Sequence, residues 1–177
     1  VTPGNFNTLL GVIRTIREHL RPYHQVFIVE MGAKQKNDIK EICDLVHPTI
    51  GIVTAVGEMH LETFKSIGNI QDTKFELINS LPANGVGIIN NDSEFINNYK
   101  GITSQCRIIR YAVENSADYK ATDVQYGTSG VSFRLNGNTE FNSRLLGVGN
   151  LLNILATIAV ADLLQIATNK QRNAIAR

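Results

Sequence analysis

Three groups of polar residues follow short apolar runs in the sequence. Glu30 ends the run VFIVE, His60 follows the run IGIVTAV, and Asn90, Asn91 and Asp92 follow the run VGII. If these runs are parallel strands, their carboxyl ends share one sheet edge, which is where open α/β sheets bind ligands. A carboxylate and an imidazole there could hold a divalent ion beside phosphates. Because Mg²⁺ prefers oxygen, a His ligand requires a particular architecture.

Each of these residues also has a purely structural interpretation. A Glu at a strand end is usually a solvated carboxylate, and a single His in a turn is more often a hydrogen-bonded loop residue. Asn and Asp after a strand are common in turns and helix caps. Lys74, which lies in a helical pattern, is by default a solvated side chain. The combination of these residues therefore carries more information than any one of them.

The first half of the chain alternates between helical and strand patterns. Apolar residues at helical spacing predict helices, and short continuous apolar runs predict strands that are covered on both faces. The predicted helices are 11–21, 38–46 and 67–81, and the predicted strands are 26–30, 50–56 and 86–89. This order predicts an α/β fold with a mostly parallel sheet flanked by helices.

The pattern changes after residue 99. Shorter alternating runs at 107–111, 122–126, 130–135 and 140–145 are separated by Gly, Asn and Ser turns. They predict a smaller antiparallel or mixed edge sheet. A last helix is expected at 150–164.

Composition narrows the class of protein. Hydrophobic residues make up 43%, charged residues 19%, and the net charge is +1, as in an ordinary globular protein without a nucleic-acid or membrane surface. No apolar run approaches the roughly 20 residues that cross a bilayer. The two cysteines form no disulfide framework, which favours a reduced, cytoplasmic setting.

Five ordered elements resemble those of the Mur ligase family. VEMGA at 29–33 resembles its E-x-G-A element, and HPTIGIVT at 47–54 resembles its P-x-x-G-I-x-T strand. HLE at 60–62 and KFEL at 74–77 resemble the H-L-E and K-x-E-[IL] elements. GVGNLLN at 147–153 resembles the G-x-H-N-x-x-N opening of the last helix.

The resemblance implies a P-loop-NTPase-like central domain that binds ATP and Mg²⁺. Glu30, His60 and Lys74 would contact metal, and His60 and Lys74 would be catalytic. Lys74 would be the lysine that family members carbamylate, since a carbamate turns an amine into an anionic oxygen ligand. Asn150 and Asn153 would lie near adenine, and their i, i+3 spacing places both on one helix face.

The resemblance also implies a reaction and its substrates. The segment TPGNFNTLLGV at 2–12 most resembles the family member that adds D-alanyl-D-alanine to a UDP-muramoyl tripeptide in peptidoglycan synthesis. Asn5 and Asn7 would lie in a loop that reaches toward the nucleotide-sugar substrate. The parent enzyme would form an acyl phosphate and act as a monomer, without nucleic acid or membrane.

Other functions remain open from the sequence. A sibling muramyl ligase, a folylpolyglutamate-type synthetase and a cyanophycin-type synthetase share these elements. From a different class, a non-catalytic scaffold would use the same acidic and imidazole groups only as surface residues.

The sequence departs from the family pattern at two points. Gly149 stands where many members have His, and no G-x-x-x-x-G-K-[ST] phosphate-binding loop occurs. We therefore expect residues 1–177 to be a central domain truncated at both ends and inactive by itself. Its parts would be a parallel α/β unit at 1–99, an antiparallel unit at 100–146, and a closing helix with the start of a linker at 147–177.

Overall fold

The computed structural model describes residues 1–57 and 61–177, which form seven helices and six strands. The helices are α1 (Leu9–His19), α2 (Asp38–Val46), α3 (Leu61–Phe64), α4 (Ile67–Asn79), α5 (Glu94–Asn97), α6 (Val148–Leu163) and α7 (Thr168–Ile175). The strands are β1 (Ile50–Val53), β2 (Val86–Asn90), β3 (Arg107–Ala112), β4 (Tyr119–Gly127), β5 (Gly130–Leu135) and β6 (Thr139–Ser143).

The strands form one mixed sheet in the order β1-β2-β3-β4-β5-β6. Pairing is parallel from β1 to β4 and antiparallel from β4 to β6. The predicted fold class, a mostly parallel sheet with an antiparallel edge, is confirmed. The expected change at residue 99 needs a correction, because β3 and the start of β4 continue the parallel pairing before the hairpins begin.

The sheet is covered by helices on both faces, as the alternation within β2 shows. Ile88 packs in a core beneath α6 with Ile109 and Leu155, whereas its neighbour Ile89 packs with Phe75 of α4 in a second core. Successive strand side chains point to opposite faces. The continuous apolar pattern of β2 therefore reflects burial on both sides.

Two glycines set how closely α4 approaches the sheet. Gly51 of β1 and Gly87 of β2 are register partners. A Cβ on Gly51 would lie 3.0 Å from Leu77 Cγ, and one on Gly87 would lie 3.1 Å from Ile78 Cδ1. The missing side chains thus leave room for Leu77 and Ile78 in the second half of α4.

One predicted strand is wrong. Residues 26–30 belong to no strand, and Val26 and Ile28 are 50% and 56% exposed. The segment is held by Thr2, whose N–H donates to the Ile28 carbonyl at 3.1 Å and whose hydroxyl accepts the Glu30 N–H at 3.3 Å. An apolar run indicates a local preference, but a strand also requires a neighbouring backbone for its hydrogen bonds.

Helix α7 was not predicted as a helix, because its sequence TNKQRNAI lacks an apolar stripe. A buried polar side chain attaches it to α6. The Gln171 amide donates to the Asp162 carboxylate and to the Ile166 carbonyl, both at 2.7 Å. Asp162 also accepts a hydrogen bond from the Tyr119 hydroxyl at 3.1 Å, which joins α6 to β4.

Both cysteines are free and buried. Burial raises the pKa of the Cys43 thiol to about 11, so it stays protonated at neutral pH. Both cysteine side chains therefore belong to the buried core. No helix in the described ranges has both the length and the apolar character needed to cross a membrane.

Leu155 provides a test of the core beneath α6. Its side chain is fully buried, so Leu155→Ala should lower the free energy of unfolding by about 2–5 kcal/mol through lost burial and a cavity. Leu164→Ala, at a site that is 41% exposed, is the matched control. Urea unfolding of both variants measures the difference, and equal midpoints would contradict this account of the core.

Candidate functional site

Glu30 lies beside the loop that precedes α1. The Asn7 side-chain amide donates to Glu30 Oε1 at 3.4 Å, and the Gly32 N–H donates to the Asn7 carbonyl at 2.8 Å. A Cβ on Gly32 would lie 2.9 Å from Asn7 Cγ, so a larger residue here would displace the Asn7 side chain. The structure therefore brings together Asn7 and Glu30, two of the residues predicted from the sequence, while Asn5 is exposed nearby in the chain.

Lys74 lies on the sheet-facing side of α4. It precedes Leu77 and Ile78 by three and four residues, which is one helical turn, so the three share a face. Because a crossover helix runs antiparallel to the strands that it joins, Lys74 lies toward the carboxyl ends of β1 and β2. It is half-buried, and no ion pair involves it among the residues that the structure describes.

His60, the third predicted metal ligand, lies outside the described residues. Within 1–57 and 61–177, no group of three or more His, Cys, Asp or Glu side chains could hold a metal ion. Glu30 is an exposed carboxylate, which is the oxygen chemistry that Mg²⁺ prefers. An ammonium cannot bind a cation, so Lys74 fits a magnesium site only as a carbamate.

The polar residues at the end of β2 and directly after it have a structural role. The Asn90 amide donates to the Thr54 carbonyl at 3.1 Å. The Asp92 carboxylate accepts the backbone N–H groups of residues 113–115 at distances from 2.6 to 3.2 Å. These bonds join the segments that follow β1, β2 and β3. The structural interpretation of this group of residues, turn and cap chemistry, therefore accounts for Asn90 and Asp92.

Asn150 and Asn153 occupy the first two turns of α6. The Asn150 amide nitrogen donates to the Leu146 carbonyl at 2.8 Å, which holds the preceding loop to the helix. Asn153 is exposed, and Leu146 and Val148 beside them are also exposed. Exposed amide and aliphatic side chains therefore occur at the start of α6 and in the loop before it.

The sequence did not single out Glu76, although it lies in the K-x-E-[IL] element. Its carboxylate accepts two backbone N–H groups of α2. The only available signal was its place two residues after Lys74, since hydrogen-bond partners that are 36 and 39 residues away follow from tertiary structure.

A mostly parallel sheet between helices, with polar groups beyond the carboxyl ends of its strands, defines the class of α/β domains that bind ligands at that edge. Comparison with known families then gives the particular family. The model of the Mur ligase middle domain matches residues 1–161, so the chain belongs to this family.

Curated relatives agree with this assignment. The chain is 32% identical over 165 residues to the UDP-N-acetylmuramoyl-tripeptide--D-alanyl-D-alanine ligase of Haemophilus influenzae, covering 90% of this chain and 35% of the relative. It is 29% identical over 167 residues to the Bacillus subtilis ligase of the same name, covering 94% and 35%. The chain thus spans about a third of the length of these relatives.

Solved structures show the same fold. A MurF structure from Acinetobacter baumannii has a TM-score of 0.88 at 24% identity, covering 98% of this chain and 38% of that one. A MurF ligase from Thermotoga maritima in complex with ADP has a TM-score of 0.80 at 25% identity, covering 94% and 39%.

Asp92→Asn tests the structural role of the residues that follow β2. The change removes the charge and one acceptor oxygen from a carboxylate that holds three backbone N–H groups, so stability should fall by about 1–3 kcal/mol. Asp44→Asn is the control, because its ion pair with Lys40 is exposed and screened by solvent. Thermal unfolding compares them; an unaffected Asp92→Asn variant would show that the three hydrogen bonds are dispensable.

Proposed function

We propose that this chain is the ATP-binding central domain of a ligase that adds D-alanyl-D-alanine to UDP-N-acetylmuramoyl tripeptide. The observation that carries the proposal is the agreement of several relatives with this printed name over about nine tenths of the chain. The structural likeness to a MurF ligase in complex with ADP supports the nucleotide. The reaction belongs to the whole ligase, a soluble cytoplasmic enzyme that acts as a monomer.

Glu30, His60 and Lys74 are the proposed metal-binding and catalytic residues. Glu30 supplies a carboxylate at one side of the site, and Lys74 supplies a carbamate from α4. Lys74 is half-buried and makes no ion pair in the described ranges, so no described carboxylate occupies its side chain. The role of His60 rests on the H-L-E element of the sequence. Bound Mg²⁺ would neutralise charge on the transferred phosphoryl group.

Asn150 and Asn153 are the proposed adenine side of the site. An Asn side chain can accept from the adenine N6 amine and donate to N7. The Asn150 amide donates one of its two N–H groups to the Leu146 carbonyl, and its oxygen can accept from the N6 amine. The exposed Asn153 amide is available from the next turn. Gly149 contributes no ring contact.

In the proposed reaction, a carboxylate of the UDP-muramoyl peptide takes the γ-phosphoryl group of ATP and forms an acyl phosphate. The amine of D-alanyl-D-alanine then attacks the carbonyl carbon, the amide bond forms and phosphate leaves. The domain contributes mainly by positioning the reacting groups. Asn7, which is fixed against Glu30, and the exposed Asn5 lie in the loop proposed to reach the nucleotide-sugar substrate.

A sibling ligase is the second candidate. The chain is 35% identical over 125 residues to the UDP-N-acetylmuramate--L-alanine ligase of Geotalea uraniireducens, but this match covers only 67% of the chain. The higher identity is confined to a shorter region. Assays of the full-length ligase with D-alanyl-D-alanine and with L-alanine as acceptors distinguish the two, and exclusive use of L-alanine would reject the first proposal.

Lys74 provides the sharpest test of the proposed chemistry. In the full-length ligase, Lys74→Arg should lower kcat by roughly 100-fold, or about 2.7 kcal/mol, because arginine keeps the charge but forms no carbamate. Lys100→Ala, which changes an exposed lysine, is the control. Phosphate release measures both rates, and ¹³C NMR in labelled bicarbonate detects the carbamate. Full activity in Lys74→Arg would reject this role.

A further inference from the structure

Glu76 of α4 binds the amino-terminal end of a different helix. Its Oε1 accepts the Asn37 N–H at 2.7 Å, and its Oε2 accepts the Lys40 N–H at 3.0 Å. The first N–H groups of a helix have no partner within the helix itself. Both oxygens of one carboxylate therefore satisfy donors of α2, and the positive end of the helix dipole favours the negative charge.

This contact replaces the usual local cap. In a capping box, the N-cap side chain binds the third helical N–H, and the third side chain binds the N-cap N–H. Asn37, the N-cap residue of α2, has a φ of 74° and makes no side-chain capping bond. Glu76 supplies both halves of the box from α4, so the start of α2 is fixed to α4 and not only to its own sequence.

The start of α2 in turn holds the segment after Glu30. The Asp38 carboxylate accepts the N–H groups of Lys34 and Gln35 at 2.8 and 3.1 Å. Cys43 of α2 contacts Met31, with 3.8 Å between the two sulfur atoms. A continuous set of contacts therefore runs from the Glu30 segment through α2 to Glu76.

Glu76 itself points away from the proposed site. It follows Lys74 by two residues, which is about 200° around a helix, so one side chain faces α2 while the other faces the sheet. Lys74 and Glu76 are thus carried by the same turn of α4 but serve different surfaces. The helical turn that carries Lys74 therefore also carries Glu76, which binds the start of α2. The start of α2 in turn holds the segment that follows Glu30.

We propose that Glu76 is a positioning residue that sets the location of Glu30 relative to Lys74. The inference rests on the proposed function, because it takes these two residues as the two sides of a magnesium site. Loss of the cap lets the start of α2 and the Glu30 segment move with respect to α4. The ligase then requires a higher Mg²⁺ concentration for phosphate release, in addition to any loss of overall stability.

The test uses the full-length ligase with Glu76→Ala, Glu76→Gln and the control Glu41→Gln. Glu41 is exposed in the first turn of α2, so its replacement removes the same charge near the same helix end without breaking the cap. The measurement is the Mg²⁺ concentration for half-maximal phosphate release at saturating substrates. We expect Glu76→Ala to raise it on the order of tenfold, equivalent to about 1.4 kcal/mol, with Glu76→Gln intermediate because one acceptor oxygen remains.

Thermal unfolding and hydrogen exchange separate positioning from folding. Faster exchange of the Lys40 amide in Glu76→Ala than in Glu41→Gln confirms that the cap is lost. A lower melting temperature with an unchanged Mg²⁺ requirement would overturn the inference and leave Glu76 as a stabilising residue only. If Glu76→Ala does not fold, Glu76→Gln decides by the same comparison with Glu41→Gln.

The same experiment distinguishes failure of the proposed function. A wild-type ligase that releases phosphate without Mg²⁺, or a Lys74→Ala variant that keeps full activity, rejects the metal site and the inference with it. A wild-type enzyme that requires Mg²⁺ and Lys74, combined with equal Mg²⁺ curves for Glu76→Ala and Glu41→Gln, rejects the inference alone.

Discussion

The close approach of α4 to the sheet is the constraint on which the candidate site depends. It is possible because Gly51 and Gly87 lie side by side in β1 and β2 and present no side chains to the helix. Leu77 and Ile78 fill that space, which fixes the rotation of α4 about its own axis. The rotation then places Lys74 toward the strand ends and directs Glu76 to α2.

Much of the fold follows from patterns that are local in the sequence. The apolar spacing of α2 predicts its bounds, and the continuous apolar run of β2 predicts a strand that is buried on both faces. The segment 26–30 has the same kind of run but forms no strand. A pattern of five residues cannot specify whether a neighbouring backbone is present to accept and donate its hydrogen bonds. Helix α7 was missed for the opposite reason. It is polar, and the buried bonds of Gln171 hold it in place.

The sequence proposes a set of residues for the candidate site but not their geometry. Motif resemblance singled out Glu30, Lys74, Asn150 and Asn153, and the contact of Asn7 with Glu30 is a feature that only the structure shows. Resemblance did not indicate that the Asn150 nitrogen is already engaged, or that one carboxylate of α4 caps α2. Such contacts depend on how elements that are distant in sequence are packed together.

The division of β2 between two cores makes the length of this strand matter more than its composition. Ile88 serves one face and Ile89 the other, and both sets of neighbours are nearly inaccessible to solvent. A volume-matched replacement disturbs one core only, at a modest cost. An inserted or deleted residue instead exchanges the two faces along the rest of the strand. Variation in this domain should therefore conserve the residue count of β2 while tolerating changes among aliphatic side chains.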